Sequence, residues 1–153
     1  MRRSLTSAVL ASLPYLLPQV VTGQEALIRA ATRYFPGVNW RPGSVVLADF
    51  TCVGHKQQAI LGINSTEIVI AIFINGPGSQ PKVLRYSAKS RNPAHATLTA
   101  EGLDYDPTED PGYELPGFRR SKSCKGLNLS DGETDSAHIY WNYASRQFND
   151  WAR

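Results

Sequence analysis

The stretch from Ser44 to Ile74, SVVLADFTCVGHKQQAILGINSTEIVIAIFI, constrains this chain more than any other. Its β-branched and aromatic residues suit a pleated, buried surface. Val45 to Phe50 reads as a strand and Thr51 to Lys56 as a loop around Gly54. Gln57 to Ile63 returns, Asn64-Ser65 turns, and Glu67 to Ile74 forms the longest apolar strand. Apart from Asp49, Val45 to Phe50 is apolar on both faces, the pattern expected of a buried strand. The remaining elements are therefore expected to cover this stretch or to be stapled to it.

The flanks fit that expectation. Gln24 to Phe35 places Leu27, Ile28, Ala31, Tyr34 and Phe35 at helical spacing, and Pro36-Gly37 stops the pattern. This helix is expected to lie across the sheet. After Ile74, Asn75-Gly76-Pro77-Gly78-Ser79 is a strong turn signal, and Pro81 to Ser87 alternates as a fourth strand. Ala88 to Lys125 changes character: prolines at 93, 107, 111 and 116 oppose long regular elements, leaving a short strand near Thr97 to Thr99. Ser136 to Tyr143 alternates, with Ala137, Ile139, Trp141 and Tyr143 on one face and His138, Tyr140 and Asn142 on the other. Ala144-Ser145-Arg146 turns, and Gln147 to Trp151 pairs back. The fold class is α+β: an N-terminal helix packed on one mainly antiparallel sheet of six or seven strands, in a single domain with one disulfide.

Residues 1–23 read as a secretory signal peptide, with Arg2 and Arg3 ahead of a proline-interrupted apolar run and a cut after Gly23. Residues 24–153 are then the exported domain, secreted or periplasmic. The apolar run is too short and too broken for a stable membrane span. Without Arg2 and Arg3, the 16 Lys and Arg residues fall to 14 against 13 Asp and Glu. A near-neutral chain gives no charge argument for nucleic acid or for an anionic membrane. Cys52 and Cys124 are the two cysteines, and in an exported chain such a pair reads as a disulfide.

Chemistry-bearing motifs are sparse. His55 follows Cys52 on the same loop, close after Asp49, but a bridged Cys52 has no free thiol. His95 sits in a proline-rich segment and His138 in the aromatic hairpin. No phosphate loop, dinucleotide fingerprint, nucleophile elbow or zinc spacing occurs. Residues 101 to 125 run from an acidic block (Glu101, Asp104, Asp106, Glu109, Asp110, Glu114) into a basic one (Arg119, Arg120, Lys122, Lys125), read as a solvated loop whose halves attract each other. Asp104, Asp106 and Asp110 lack the glycine and the terminal bidentate Glu of a calcium loop. Asn64-Ser65-Thr66 and Asn128-Leu129-Ser130 are glycosylation sequons if the chain passes through a eukaryotic secretory pathway.

VVLADFTCVGHKQQAIL resembles a single degenerate unit of the FG-GAP or VCBS type, whose strand-loop-strand commonly holds calcium. Asp49, Phe50 and Gly54 match that pattern. Thr51, Cys52, Val53 and Gln57 depart from it where further oxygen ligands would stand. More broadly, leader, strand-loop-strand and late aromatic hairpin resemble small exported Gram-negative proteins of unassigned function. No metal, cofactor or catalytic residue is assigned. The expected function is a non-catalytic binding or protein-interaction domain for a protein or envelope ligand. Its contact residues would be exposed aromatics of the last hairpin, Tyr140 and Trp151, together with the 101–125 loop. An enzyme, such as a small cell-envelope hydrolase, would instead require His55 or His138 to meet a carboxylate inside a pocket. An inhibitor of a secreted enzyme would require a rigid protruding loop.

Overall fold

The computed structural model describes residues 23–109, 112 and 114–152. The leader expected over 1–23 lies outside these residues except for Gly23. The elements run α1 (Gly23–Tyr34), β1 (Asn39–Trp40), β2 (Val46–Ala48), β3 (Gln57–Ile63), β4 (Glu67–Phe73), β5 (Lys82–Ser87), β6 (Thr97–Leu103), β7 (Ser121–Ser130), β8 (Ala137–Asn142) and β9 (Gln147–Ala152). Short 3-10 turns cover Pro42–Ser44 and Pro93–His95. No described helix is long and apolar enough to cross a membrane.

The architecture is α+β and β-rich, but the single sheet expected from the sequence is instead two antiparallel sheets. The first orders its strands β1-β3-β4-β5, with β2 also pairing β3; the second orders them β6-β7-β8-β9. The sheets share an apolar interior. Ala59, Leu61, Ile68, Ile70 and Ile72 from the first cluster with Leu98, Leu127, Leu129, Ala137, Ile139 and Phe148 from the second. Period-two alternation sends the other residues of these strands to the outer faces.

Two further apolar clusters lie outside this interior. Leu27, Ala30 and Ala31 of α1 share a cluster with Val38, Trp40, Ile60, Val69, Ala71 and Phe73. The helix has only 12 residues, and its closest approaches are to β1 and the first 3-10 turn rather than broadly across the strands. Gly62 makes room on this face, since a Cβ there would lie 2.6 Å from Trp40 Cε3. On the far side of the second sheet, Tyr105, Leu115 and Phe118 cluster with Leu103, Cys124, Tyr140 and Trp151.

One flank joins the two sheets at both ends of β6. At its start, the Arg41 guanidinium donates to Ala96 O and Pro93 O, both at 2.7 Å. At its end lies a bulge: Gly102 pairs with Lys125 and Leu103 with Ser121, so β7 carries extra residues there, Cys124 among them. Lys125 N–H donates to Asp49 O at 3.0 Å, and Cys52 is bridged to Cys124. The pairing expected of the two cysteines is present. It is compatible with an oxidising compartment outside the cytoplasm.

Candidate functional site

The disulfide loop is built by its own side chains. Asp49 Oδ1 accepts from Val53 N–H at 3.0 Å and Oδ2 from Gly54 N–H at 2.7 Å, while Gly54 turns the chain at φ +83°. Buried Gln57 closes the loop, accepting Phe50 N–H at 3.0 Å and donating to Thr51 Oγ1. Asp49 and Gly54, which match the calcium-unit pattern, thus hold a hydrogen-bonded turn. Among the described residues no three His, Cys, Asp or Glu side chains gather as a metal site.

Beside this loop, the β8–β9 turn and the segment before β7 form a cleft. Asn142 is buried, and its Oδ1 accepts from Ala144 N–H and Ser145 N–H at 2.9 and 3.0 Å, which shapes the turn. Gly117 sits against that side chain at φ +65°, where a Cβ would collide with Asn142 Oδ1. Its carbonyl accepts Tyr143 N–H at 3.0 Å. This docking brings Arg119 over the Tyr143 ring, 4.2 Å from guanidinium carbon to centroid, a cation–π contact.

The resulting cleft, of about 510 Å³, is lined by Arg119, Arg146, Trp141 and Tyr143 from one side and by Val53 and Ile74 from the other. That volume suits a small-molecule ligand. Val53 is 56 % exposed although apolar. Trp141 is half-buried, its ring edge-on to Phe148 at 5.0 Å. Burial pushes the Tyr143 phenol up, against the opposing pull of Arg119 and with a further push from Asp49. No carboxylate lines the cleft, and both guanidiniums lack an acidic partner among the described residues.

The aromatics expected to be exposed are elsewhere. Tyr140 and Trp151 are 3 % and 6 % exposed, on the outer face of the second sheet. Tyr140 OH donates to Pro116 O at 3.1 Å and Trp151 Nε1–H to Tyr105 OH at 3.2 Å. Tyr105, Leu115 and Phe118 pack against them, so the expectation of an exposed aromatic face does not hold at these two positions. The attraction expected between the acidic and basic blocks is present: Arg120 Nε lies 2.7 Å from Asp104 Oδ1. Asp106 accepts from Thr108 N–H and hydroxyl, which hold its carboxyl below the ordinary value. Asp110 lies outside the described residues.

The three histidines separate. His95 is exposed, 3.3 Å from Glu133. His55 lines a shallow cavity of about 310 Å³ with Asp49, Lys56 and Lys125, where both Asp49 oxygens are engaged by the turn. His138 meets Glu101, Nδ1 to Oε2 2.8 Å, and its ring stacks on Trp151 at 4.2 Å. Burial raises the Glu101 carboxyl above its ordinary value, opposed by His138 and Asn128. Glu101 Oε1 is buried without a hydrogen-bond partner. The pair is packed beneath an aromatic ring and lines none of the cavities described above. His55 and the Asp49 carboxylate thus share a cavity, with both carboxylate oxygens taken by backbone N–H groups of the turn, whereas His138 has a bonded carboxylate but lines neither cavity.

Neither Arg119 with Tyr143 nor Arg146 with Trp141 is readable as a unit from the sequence. The basic block and the aromatic hairpin are visible there, but their meeting depends on the Gly117–Asn142 contact. No family model, curated protein or solved structure matches this chain.

Proposed function

We propose that this chain is a non-catalytic exported binding domain, working in the periplasm or outside the cell, whose ligand occupies the cleft between the disulfide loop and the β8–β9 turn. One observation carries the reading: Arg119 and Arg146, neither with an acidic partner among the described residues, line a cleft of about 510 Å³ together with apolar Val53, Ile74 and Trp141. Open apolar area next to unpaired charge is what a ligand site offers and a packed core avoids. The disulfide and the Asp49–Lys125 bond fix one wall, and the Asn142 turn fixes the other, so little ordering is left for binding.

The reading is tested by native mass spectrometry of the oxidised chain after exposure to a cell-envelope extract. The wild type should retain a small-molecule adduct that the Arg119→Gln/Arg146→Asn double variant loses. No adduct on the wild type, or equal adducts on both, would contradict the proposal. Asparagine is chosen at 146 because that residue has φ +53°, which Asn tolerates better than most side chains.

A further inference from the structure

The chemistry of the cleft narrows what it takes. Resting on the binding reading above, we infer that the ligand is a carboxylate attached directly to a compact apolar group. Three features of the wall argue for this. First, among the described residues the charged side chains lining it are Arg119 and Arg146, so its lining carries positive charge and no carboxylate. An anion gains there, and a cationic or zwitterionic head gains nothing from a matching acid.

Second, guanidinium presents donors in a planar fork that matches a planar carboxylate edge to edge. Arg119 has one face against Tyr143, which leaves its N–H edge as the part able to meet a ligand. The ring contact also restrains the side chain, so less rotamer freedom is lost when the anion arrives.

Third, part of the lining is apolar: Val53 is more than half exposed, and Ile74 and Trp141 line the same cleft. A bare, strongly hydrated dianion would shed water against that surface for no return. A monoanion bearing a branched alkyl group fills both halves, its charge at the arginines and its carbons against Val53 and Ile74.

Two sources share this chemistry: a free small acid, and the C-terminal residue of a peptide with an apolar side chain. Isothermal titration of the oxidised full chain tests the inference with N-acetyl-L-leucine, its neutral amide N-acetyl-L-leucinamide, and N-acetyl-Gly-Gly-Leu as the peptide arm. The acid should bind at least tenfold more tightly than the amide. Affinity should fall at least tenfold in Arg119→Gln and in Arg146→Asn, and should weaken as NaCl rises from low to high concentration. Circular dichroism melts of both variants confirm that they are folded. A tripeptide bound tenfold more tightly than the single residue supports the inference with a peptide terminus as the source; equal binding supports it with a free acid. Amide binding equal to acid binding overturns the carboxylate assignment and leaves cleft binding standing. Absence of binding by all three probes also overturns it; the extract adduct then separates the two failures, since its presence preserves the binding reading and its absence removes both.

Discussion

Arg119 rests on the ring of Tyr143 at 4.2 Å, although β7 and β8 separate the two residues in sequence. The contact exists because Gly117 O accepts Tyr143 N–H and because Gly117 has no side chain to strike Asn142. A backbone hydrogen bond and a missing Cβ thus place a cation at the mouth of the cleft.

Gly117→Ala should undo that placement. The new methyl would meet Asn142 Oδ1, which cannot withdraw without releasing Ala144 N–H and Ser145 N–H. The positive φ adds strain for any L side chain. Together these should cost roughly 1–3 kcal/mol of stability and remove ligand binding even in molecules that remain folded. Urea unfolding and a binding titration on the same sample measure the two effects.

Cys52→Ser/Cys124→Ser tests the staple. The bridge spans a sequence separation of 72, and chain entropy alone assigns such a loop about 4 kcal/mol. The double variant should unfold at markedly lower urea. Its cleft should also loosen, because Thr51, Cys52 and Val53 line it. Thermal melts with and without reductant provide the comparison, with the reduced wild type expected to match the variant.

Asp131 makes the fold acid-sensitive. Its burial works against charge, but N–H groups of Thr134, Asn92 and Glu133 and the Thr134 hydroxyl outweigh that and hold the carboxyl well below its ordinary 3.8. A depressed folded pKa means that its contribution is fully present above about pH 3.8 and is lost as pH falls below that value. Asp131→Ala strands several donors and should destabilise by about 2–4 kcal/mol at neutral pH, while flattening the acid limb of a stability–pH curve.

Glu101 acts in the opposite sense. Burial raises its carboxyl above the ordinary 4.5, so the folded state binds the proton more tightly than the unfolded chain does. Its contribution to stability therefore falls as pH rises from about 4.5 through the folded value. Glu101→Gln should remove that decline, seen as a flatter stability profile across the weakly acidic range. A profile unchanged by the substitution would contradict the assignment.

The legible part of this fold was the part with local periodicity. Residues 57–63 and 67–73 are strands because their apolar runs admit little else, and the cysteine pair followed from composition. In the second sheet the β8–β9 hairpin was legible from its alternation, but the longest strand, β7, was hidden because it reads SKSCKGLNLS. Lys122 and Ser123 fall in the bulge, Gly126 packs under Ile139 O, and only Leu127 and Leu129 show the alternation. Tyr140 and Trp151 looked available in a two-stranded hairpin; the cover over them comes from Tyr105, Leu115 and Phe118, which lie outside the strands. The cleft was illegible for the same reason: its walls come from four separate stretches, joined by tertiary hydrogen bonds rather than by any spacing in the chain.

The central claim, that the cleft holds a ligand without transforming it, is tested most directly by following the captured molecule's mass. The oxidised chain is incubated with envelope extract for several hours, the complex is isolated, and the ligand is released by denaturation. The account predicts a species identical in mass to one in the untreated extract, recovered at no more than one per chain and absent from Arg119→Gln/Arg146→Asn. A species changed in mass by the elements of water, accumulating beyond the amount of protein present, would contradict it and identify an enzyme.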